Sequence, residues 1–327
     1  MLFQPGASAP GAPFMLNPWR LPKTPFPAII APAMLPLRPE LAHTIRNPHP
    51  CVPTGAVRNP LILITNDDGI ASPGLRAAVL AALPLGEILV VAPAHQWSGA
   101  GRSMPPGPEG SISRYPLEID GQAIAAYQVD ASPALVVLHA LLELAPRRPA
   151  LLISGINYGE NVGSDVTISG TVGAALQGAV CGIPALAASL QTPKETHVNP
   201  SDRVDFAAAI HFTRLFTRYL LTVSLPFDVD LLKLDVPSDA TPETPWRLTR
   251  VSRHAYFVSA PTRRDSLAER AAIDYGPTAH PERTEPDSDI YALAVDRVVS
   301  VAPMSLDLSS RADPGEIEAL LRGPTAL

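Results

Sequence analysis

Three short apolar runs set the strongest constraint on how this chain can fold. LILIT (61–65), EILVVAP (87–93) and PALLIS (149–154) are each bounded by turn residues. Runs with so little polar alternation suit strands buried on both faces of a parallel sheet. Segments with helical spacing follow at 72–83, 132–144, 171–182 and 203–221. Ser72-Pro73 and Ser132-Pro133 place proline near the first helical position, and Gly182 with Pro184 closes the third segment. In the second, Leu135, Val136, Leu138 and Leu142 are expected on one face. Strand and helix in alternation predict an α/β, doubly wound sheet of Rossmann type.

The C-terminal third has a different texture. Segments 228–237, 246–252 and 288–304 show strand-like alternation. They read as further strands, some of them a hairpin excursion outside the main sheet. At the other end, 14 of the 38 prolines fall in residues 1–60. Proline at that density removes donors and breaks ladders, so 1–59 reads as a disordered extension. The folded domain is expected over 60–310, with a C-terminal helix or tail at 311–327.

Bulk chemistry narrows the partners. The 327 residues are 46% hydrophobic and 17% charged, with a net charge of −6 and no Lys/Arg-rich run. Nothing there calls for a nucleic-acid polymer. Cys51 and Cys181 lie far apart and offer neither a disulfide framework nor a zinc spacing. A reducing, cytoplasmic setting is expected, with no membrane span, since no apolar run reaches the roughly 18–20 residues required.

The first strand runs straight into NDDG, with Asp67 and Asp68 adjacent. Two carboxylates at the rim of a core repel each other and resist desolvation. Water, hydrogen bonds or a cation must offset that cost. In an open parallel sheet, ligands bind beyond the carboxyl ends of the strands. The second run continues into APAHQWSGAG (92–101) and the third into SGINYGENVGSDVTISGTVG (154–173). If the three strands are parallel neighbours, Asp67, Asp68, Ser98 and Asn157 share one rim. All four carry hard oxygen atoms, which suit Mg2+ or Mn2+ rather than zinc or copper. An isolated NDDG is more often a turn; the joint occurrence at three strand ends points to a site.

Ser169 and Thr171 are candidate caps of the third helix, with Gly170 and Gly173 allowing close backbone approach. A helix start of this kind presents N–H groups and partial positive charge to an anion. Gly155, Gly159, Gly163 and Gly170 in one loop exceed what capping requires. A glycine-rich loop beside a metal suggests a phosphorylated ligand.

Together ILITNDDGI, VVAPAHQWSGAG, SGINYGENVGSDVTISGTVGAALQG and GIPALAAS resemble the SurE survival-protein family, metal-dependent 5′-nucleotidases. Fainter echoes continue in LLKLDVP, LTRVSRHAY and SDIYALAVDRVVSVAP, so the likeness spans roughly 60–308. The resemblance implies a Rossmann-like three-layer sandwich that hydrolyses phosphomonoesters, chiefly nucleoside monophosphates. It also implies one divalent metal per subunit, and dimers or tetramers with C-terminal exchange. It puts the metal on Asp67, Asp68, Ser98 and Asn157, with Gly99 beside it. Phosphate or substrate contacts fall on Asn66, Asn161, Ser169, Gly170 and Thr171. Departures surround the site, at Ala94, Ala131-Ser132-Pro133 and Ala302.

The expected chemistry is metal-assisted hydrolysis, with Asp67 orienting or deprotonating the attacking water or itself acting as nucleophile. Leu85-Gly86 and 101–113 offer loops that would cover the site. Histidines 95, 139, 197 and 254 offer general acids, His139 reading rather as a structural residue, and Arg250 and Arg253 offer further ligand contacts. Two other classes stay open. One is a nucleotide-binding regulatory protein without turnover. The other is a haloacid-dehalogenase-like phosphatase, whose aspartates are separated by one residue where these are adjacent.

Overall fold

The computed structural model describes residues 59–106, 110–197 and 203–323. The proline-rich segment through residue 58 lies outside them, as does Cys51. Strand β1 (Leu61–Thr65) is followed by α1 (Pro73–Ala82), β2 (Glu87–Pro93), β3 (Ile112–Arg114), β4 (Leu117–Ile119) and β5 (Gln122–Val129). Then come α2 (Pro133–His139), β6 (Leu151–Tyr158), α3 (Gly170–Val180), β7 (Ala185–Leu190), α4 (Ala207–Thr222) and β8 (Leu231–Val236). The chain ends through β9 (Trp246–Leu248), β10 (Phe257–Ala260), β11 (Asp274–Pro277), α5 (Asp289–Ala294), β12 (Val299–Met304) and α6 (Pro314–Arg322).

Nine strands run in the order β3-β5-β2-β1-β6-β7-β8-β12-β9, with β4 beside β5. From β5 to β8 every neighbour is parallel, and β1 lies between β2 and β6. The first three predicted strands are thus adjacent and aligned.

Alternate residues of β1 serve two cores, as a doubly covered sheet demands. Ile62 and Ile64 pack with Leu75 and Val79 of α1 and Phe212 and Phe216 of α4. Leu61 and Leu63 pack with Val136 and Val137 of α2 and Val172 and Ala175 of α3. This is the expected three-layer sandwich, its helices on both faces of the sheet.

Several expectations change. Segment 288–304 is not one strand: its first part is α5, capped by the Ser288 hydroxyl accepting from Tyr291 N at 3.2 Å, and only Val299–Met304 pairs. The segments at 228–237 and 246–252 supply β8 and β9 within the main sheet. The excursion outside it is the antiparallel pair β10–β11. The second helix buries Ala134, Val136, Val137 and Ala140, while Leu142 is exposed. A π turn, Ala145 N to Ala140 O at 2.8 Å, rotates its end away from the predicted face. Leu85-Gly86 does not cover the strand ends that carry the aspartates. Glu87 N donates to Pro60 O at 2.9 Å, so Gly86 sits at the opposite edge, where β1 and β2 begin.

Candidate active site

At the end of β1 the chain turns sharply. The Asn66 side chain accepts from Gly69 N at 3.2 Å and donates to Gly69 O at 3.0 Å, closing the turn on itself. That turn drives both aspartates inward: Asp67 is 4% and Asp68 9% exposed. Asp67 Oδ1 accepts the Thr171 hydroxyl at 2.5 Å. Asp68 Oδ2 accepts Tyr158 N, and its Oδ1 accepts the Gln96 amide, each at 3.3 Å. The same Gln96 amide donates to Ser98 Oγ at 2.9 Å and to the His197 carbonyl at 2.6 Å.

Burial pushes Asp67 up to about 6, against the downward pull of the Thr171 hydroxyl and its N–H. Burial, then the charge of Asp67, holds Asp68 well above its ordinary range. Among the described residues no ion pair reaches either carboxylate.

Asn157 is placed by a β-bulge. Ser154 pairs with Ala187 but Asn157 with Ser189, so β6 carries one extra residue there. Gly155 makes this possible: its φ is +127°, and a Cβ would stand 2.2 Å from the Ala188 carbonyl oxygen. The Asn157 Nδ2 donates to Gly159 O at 2.7 Å, leaving Oδ1 with no donor among the described residues.

Helix α3 begins beside Asp67. Ser169 caps it, its hydroxyl accepting from Val172 N at 3.1 Å. Gly170 touches the carboxylate so closely that a Cβ would lie 2.7 Å from Asp67 Oδ2. Asn161 stands further along the loop, its N–H on Asp235 Oδ1 at 2.8 Å and its Nδ2 on Ser189 Oγ at 2.9 Å. Gly99 has φ +77° and open space around it. The structure therefore links Asp67, Asp68, Ser98 and Thr171 directly or through Gln96, with Asn157 adjoining through Tyr158. Asn161 is tied instead to β7 and β8, while the Asn66 side chain is spent on its own turn.

The donor set fits a hard divalent cation. It offers two buried carboxylates without a cationic partner among the described residues, an exposed serine hydroxyl and an amide oxygen. No group of three or more His, Cys, Asp or Glu side chains suited to a metal occurs among the described residues. Here only two carboxylates contribute, and the remaining oxygens are neutral.

Sequence reasoning missed Gln96 and the cluster behind Asn161. Lys233 and Asp235 lie in β8, both fully buried, 2.5 Å apart, with Asp289 3.1 Å from the lysine. Asp289 accepts from Gly163 N at 3.1 Å and Ser252 N at 3.0 Å. Two charges within a buried apolar strand were the signal available. Of the basic segment 250–254, backbone reaches the site loop, His254 O accepting from Ser164 N at 2.9 Å. Arg250 pairs with Asp287, and His139 with Glu143. His197 lies against Gly159, where a Cβ would meet its ring at 2.7 Å.

Fold and site together define a doubly wound α/β protein with paired carboxylates at the carboxyl rim of its central strands, facing a helix start. The family model Survival protein SurE matches residues 62–258. The chain is 38% identical over 261 residues to a 5′-nucleotidase SurE of Thermococcus kodakarensis, covering 80% of this chain and 98% of that protein. Against a 5′-nucleotidase SurE of Methanosarcina acetivorans it is 38% identical over 275 residues, covering 82% of this chain and all of the relative. The crystal structure of a SurE protein from Aquifex aeolicus superimposes with TM-score 0.63 at 28% identity, covering 80% of this chain and all of that one. The chain belongs to the SurE family.

Proposed function

We infer that this chain is a 5′-nucleotidase that hydrolyses phosphomonoesters, foremost nucleoside 5′-monophosphates, at the rim formed by β1, β2 and β6. One observation carries the site assignment: two adjacent buried carboxylates, with no cationic partner among the described residues, stand against the N-terminus of α3, Asp67 fixed by Thr171. The relatives named 5′-nucleotidase SurE support the activity.

Asp67, Asp68, Ser98 and Asn157 are the residues that would hold one Mg2+ or Mn2+. Such an ion supplies positive charge for a phosphate oxygen and acidifies water. With Oδ1 fixed by Thr171, Asp67 presents its second oxygen to orient the attacking water and take its proton. Gln96 keeps Asp68 and Ser98 in register with each other. Gly99 and the first N–H groups of α3, at Ser169 and Gly170, hold the remaining phosphate oxygens as charge redistributes, and Asn161, anchored to Asp235 and Ser189, reaches them only with the second hydrogen of its Nδ2. Among the described residues no helix is long and apolar enough to cross a membrane.

A dimer or tetramer with exchanged C-terminal elements is part of this reading. Val258, Leu267 and Ile273 in and around the β10–β11 excursion are exposed, as are Leu320 and Leu321 of α6. Exposed apolar side chains of this size favour association when they gather on one face.

Phosphate release from nucleoside 5′-monophosphates, measured with Mg2+, with Mn2+ and with EDTA, tests the function. Metal-dependent release abolished by EDTA is expected. Folded protein that binds nucleotide but releases no phosphate with any metal would make it a binding protein instead.

A further inference from the structure

Three of the four oxygen-bearing side chains at the rim trace back to one residue, His197. Its carbonyl accepts the Gln96 amide at 2.6 Å, the shortest of the three bonds that nitrogen makes. The other two run to Ser98 Oγ at 2.9 Å and Asp68 Oδ1 at 3.3 Å. A side-chain amide has two hydrogens for these three acceptors, and the His197 carbonyl is the one that belongs to no metal-holding residue. It therefore sets where the amide stands, and the amide sets Asp68 and Ser98 relative to each other.

A second route leads to Asn157. The His197 ring lies directly on Gly159, where a Cβ would come 2.7 Å from Nε2 and 3.0 Å from Cδ2 and Cε1. Gly159 has φ +100°, so neither its backbone nor the space admits a side chain. The Gly159 carbonyl in turn accepts Asn157 Nδ2 at 2.7 Å, which fixes the way Oδ1 points. Asp67 stands apart, held by Thr171.

His197 is itself anchored. Nε2 lies 3.3 Å from the Thr192 carbonyl and so carries the proton, which leaves Nδ1 to accept the Tyr275 hydroxyl at 3.2 Å. The Tyr275 ring stacks on it with centroids 6.3 Å apart, and Phe257 meets it edge to face at 5.9 Å. Both ring nitrogens are engaged within the protein, which argues for a brace and against proton transfer to substrate. Tyr275 belongs to β11 and Phe257 to β10, so the excursion outside the main sheet supplies the anchor.

We propose that His197 is a positioning residue for the metal ligands: pinned by Thr192 and Tyr275, it holds Asp68 and Ser98 through Gln96, and Asn157 through Gly159. The proposal rests on the metal reading of the site. Groups that stand behind metal ligands in this way are worth about 10–100-fold in affinity.

The test is Mn2+ binding to substrate-free protein stripped with EDTA, titrated by electron paramagnetic resonance, with melting curves recorded without metal. His197→Ala is expected to bind Mn2+ about tenfold or more weakly than wild type. A residue needed only for folding would lower the melting temperature and leave the affinity of the folded protein alone. Tyr275→Phe keeps the stacked ring, loses the hydroxyl, and is expected to weaken Mn2+ about threefold. In a Gln96→Leu background, His197→Ala is expected to cost at most about threefold, since one of its two routes is already cut. An equal loss in both backgrounds, or Mn2+ bound by His197→Ala as by wild type, overturns the proposal. Unchanged affinity in Tyr275→Phe removes the anchor and overturns it likewise; that variant alone decides if His197→Ala does not fold. Wild type that binds no Mn2+ sinks the metal reading, and this proposal with it.

Discussion

The Thr171 hydroxyl donates to Asp67 Oδ1 at 2.5 Å, joining the start of α3 to the end of β1. Both side chains are buried, Thr171 completely. Replacing Thr171 by valine keeps the shape and removes the donor, leaving a buried carboxylate oxygen unpaired at a cost of about 1–3 kcal/mol. Steady-state kinetics of Thr171→Val are expected to show kcat lowered about 10–100-fold, because the aspartate loses its orientation. A melting curve should show a folded protein. Wild-type kcat in this variant would mean that the contact is idle.

Gly170 carries a steric prediction. An added methyl would stand 2.7 Å from both Cβ and Oδ2 of Asp67, closer than such atoms approach. Gly170→Ala must displace the carboxylate or the helix start, a strain of about 1–3 kcal/mol. Activity should fall at least as far as in Thr171→Val, while circular dichroism keeps its α/β signature. Full turnover would show that Asp67 has room to move without consequence.

Lys233, fully buried, holds Asp235 and Asp289 together. Burial disfavours its charge, yet the two carboxylates outweigh that and raise its pKa, so it stays an ammonium. Lys233→Met strands two buried carboxylates and should cost about 3–5 kcal/mol by denaturant titration. Asn161 and Gly163, whose N–H groups rest on those carboxylates, should loosen as well. The KM for phosphate esters is therefore expected to rise in any variant that still folds. Stability within 1 kcal/mol (about a fivefold change in the folding constant) would contradict the ledger of this cluster.

Burial pushes Glu160 from 4.5 up to about 7. The folded state then holds its proton more tightly than the unfolded chain. Its contribution is fully present below pH 4.5 and is lost as pH rises through about 7. Integrated over that window, the loss is about 3 kcal/mol. Glu160→Gln cannot titrate and should remove that part of the decline, most visibly by melting at pH 5 and pH 8. Parallel pH profiles for wild type and variant would contradict it.

The parts of the fold that were legible in the sequence are those where one force dominates. Strands β1, β2 and β6 are buried on both faces, so their residues are apolar almost without interruption, and Asp67, Asp68, Ser98 and Asn157 follow from their ends. Strand β7 was obscured because ALAASL is small-residue rich, a composition shared by helices. Strands β3 to β5 run for only three to eight residues and mix buried with exposed positions, too little for a period to emerge. SDIYALAV fits a strand or a helix equally; the Ser288 cap tips it to α5. Gln96 left no trace because a loop amide has no periodic signature, and its role comes from three acceptors that only folding assembles. Lys233 and Asp235 were visible as charges, yet their partners Asn161 and Asp289 come from segments distant in sequence.

The most direct test of the central claim is phosphate release by Asp67→Asn, measured beside wild type with Mg2+ or Mn2+ and with melting curves for both. The amide keeps the volume and can still meet Thr171, but it cannot accept a proton or hold a cation as a carboxylate does. Loss of turnover by about 10²-fold or more, with the fold retained, is the expected result. Full release of phosphate from nucleoside 5′-monophosphates by folded Asp67→Asn would place the chemistry elsewhere.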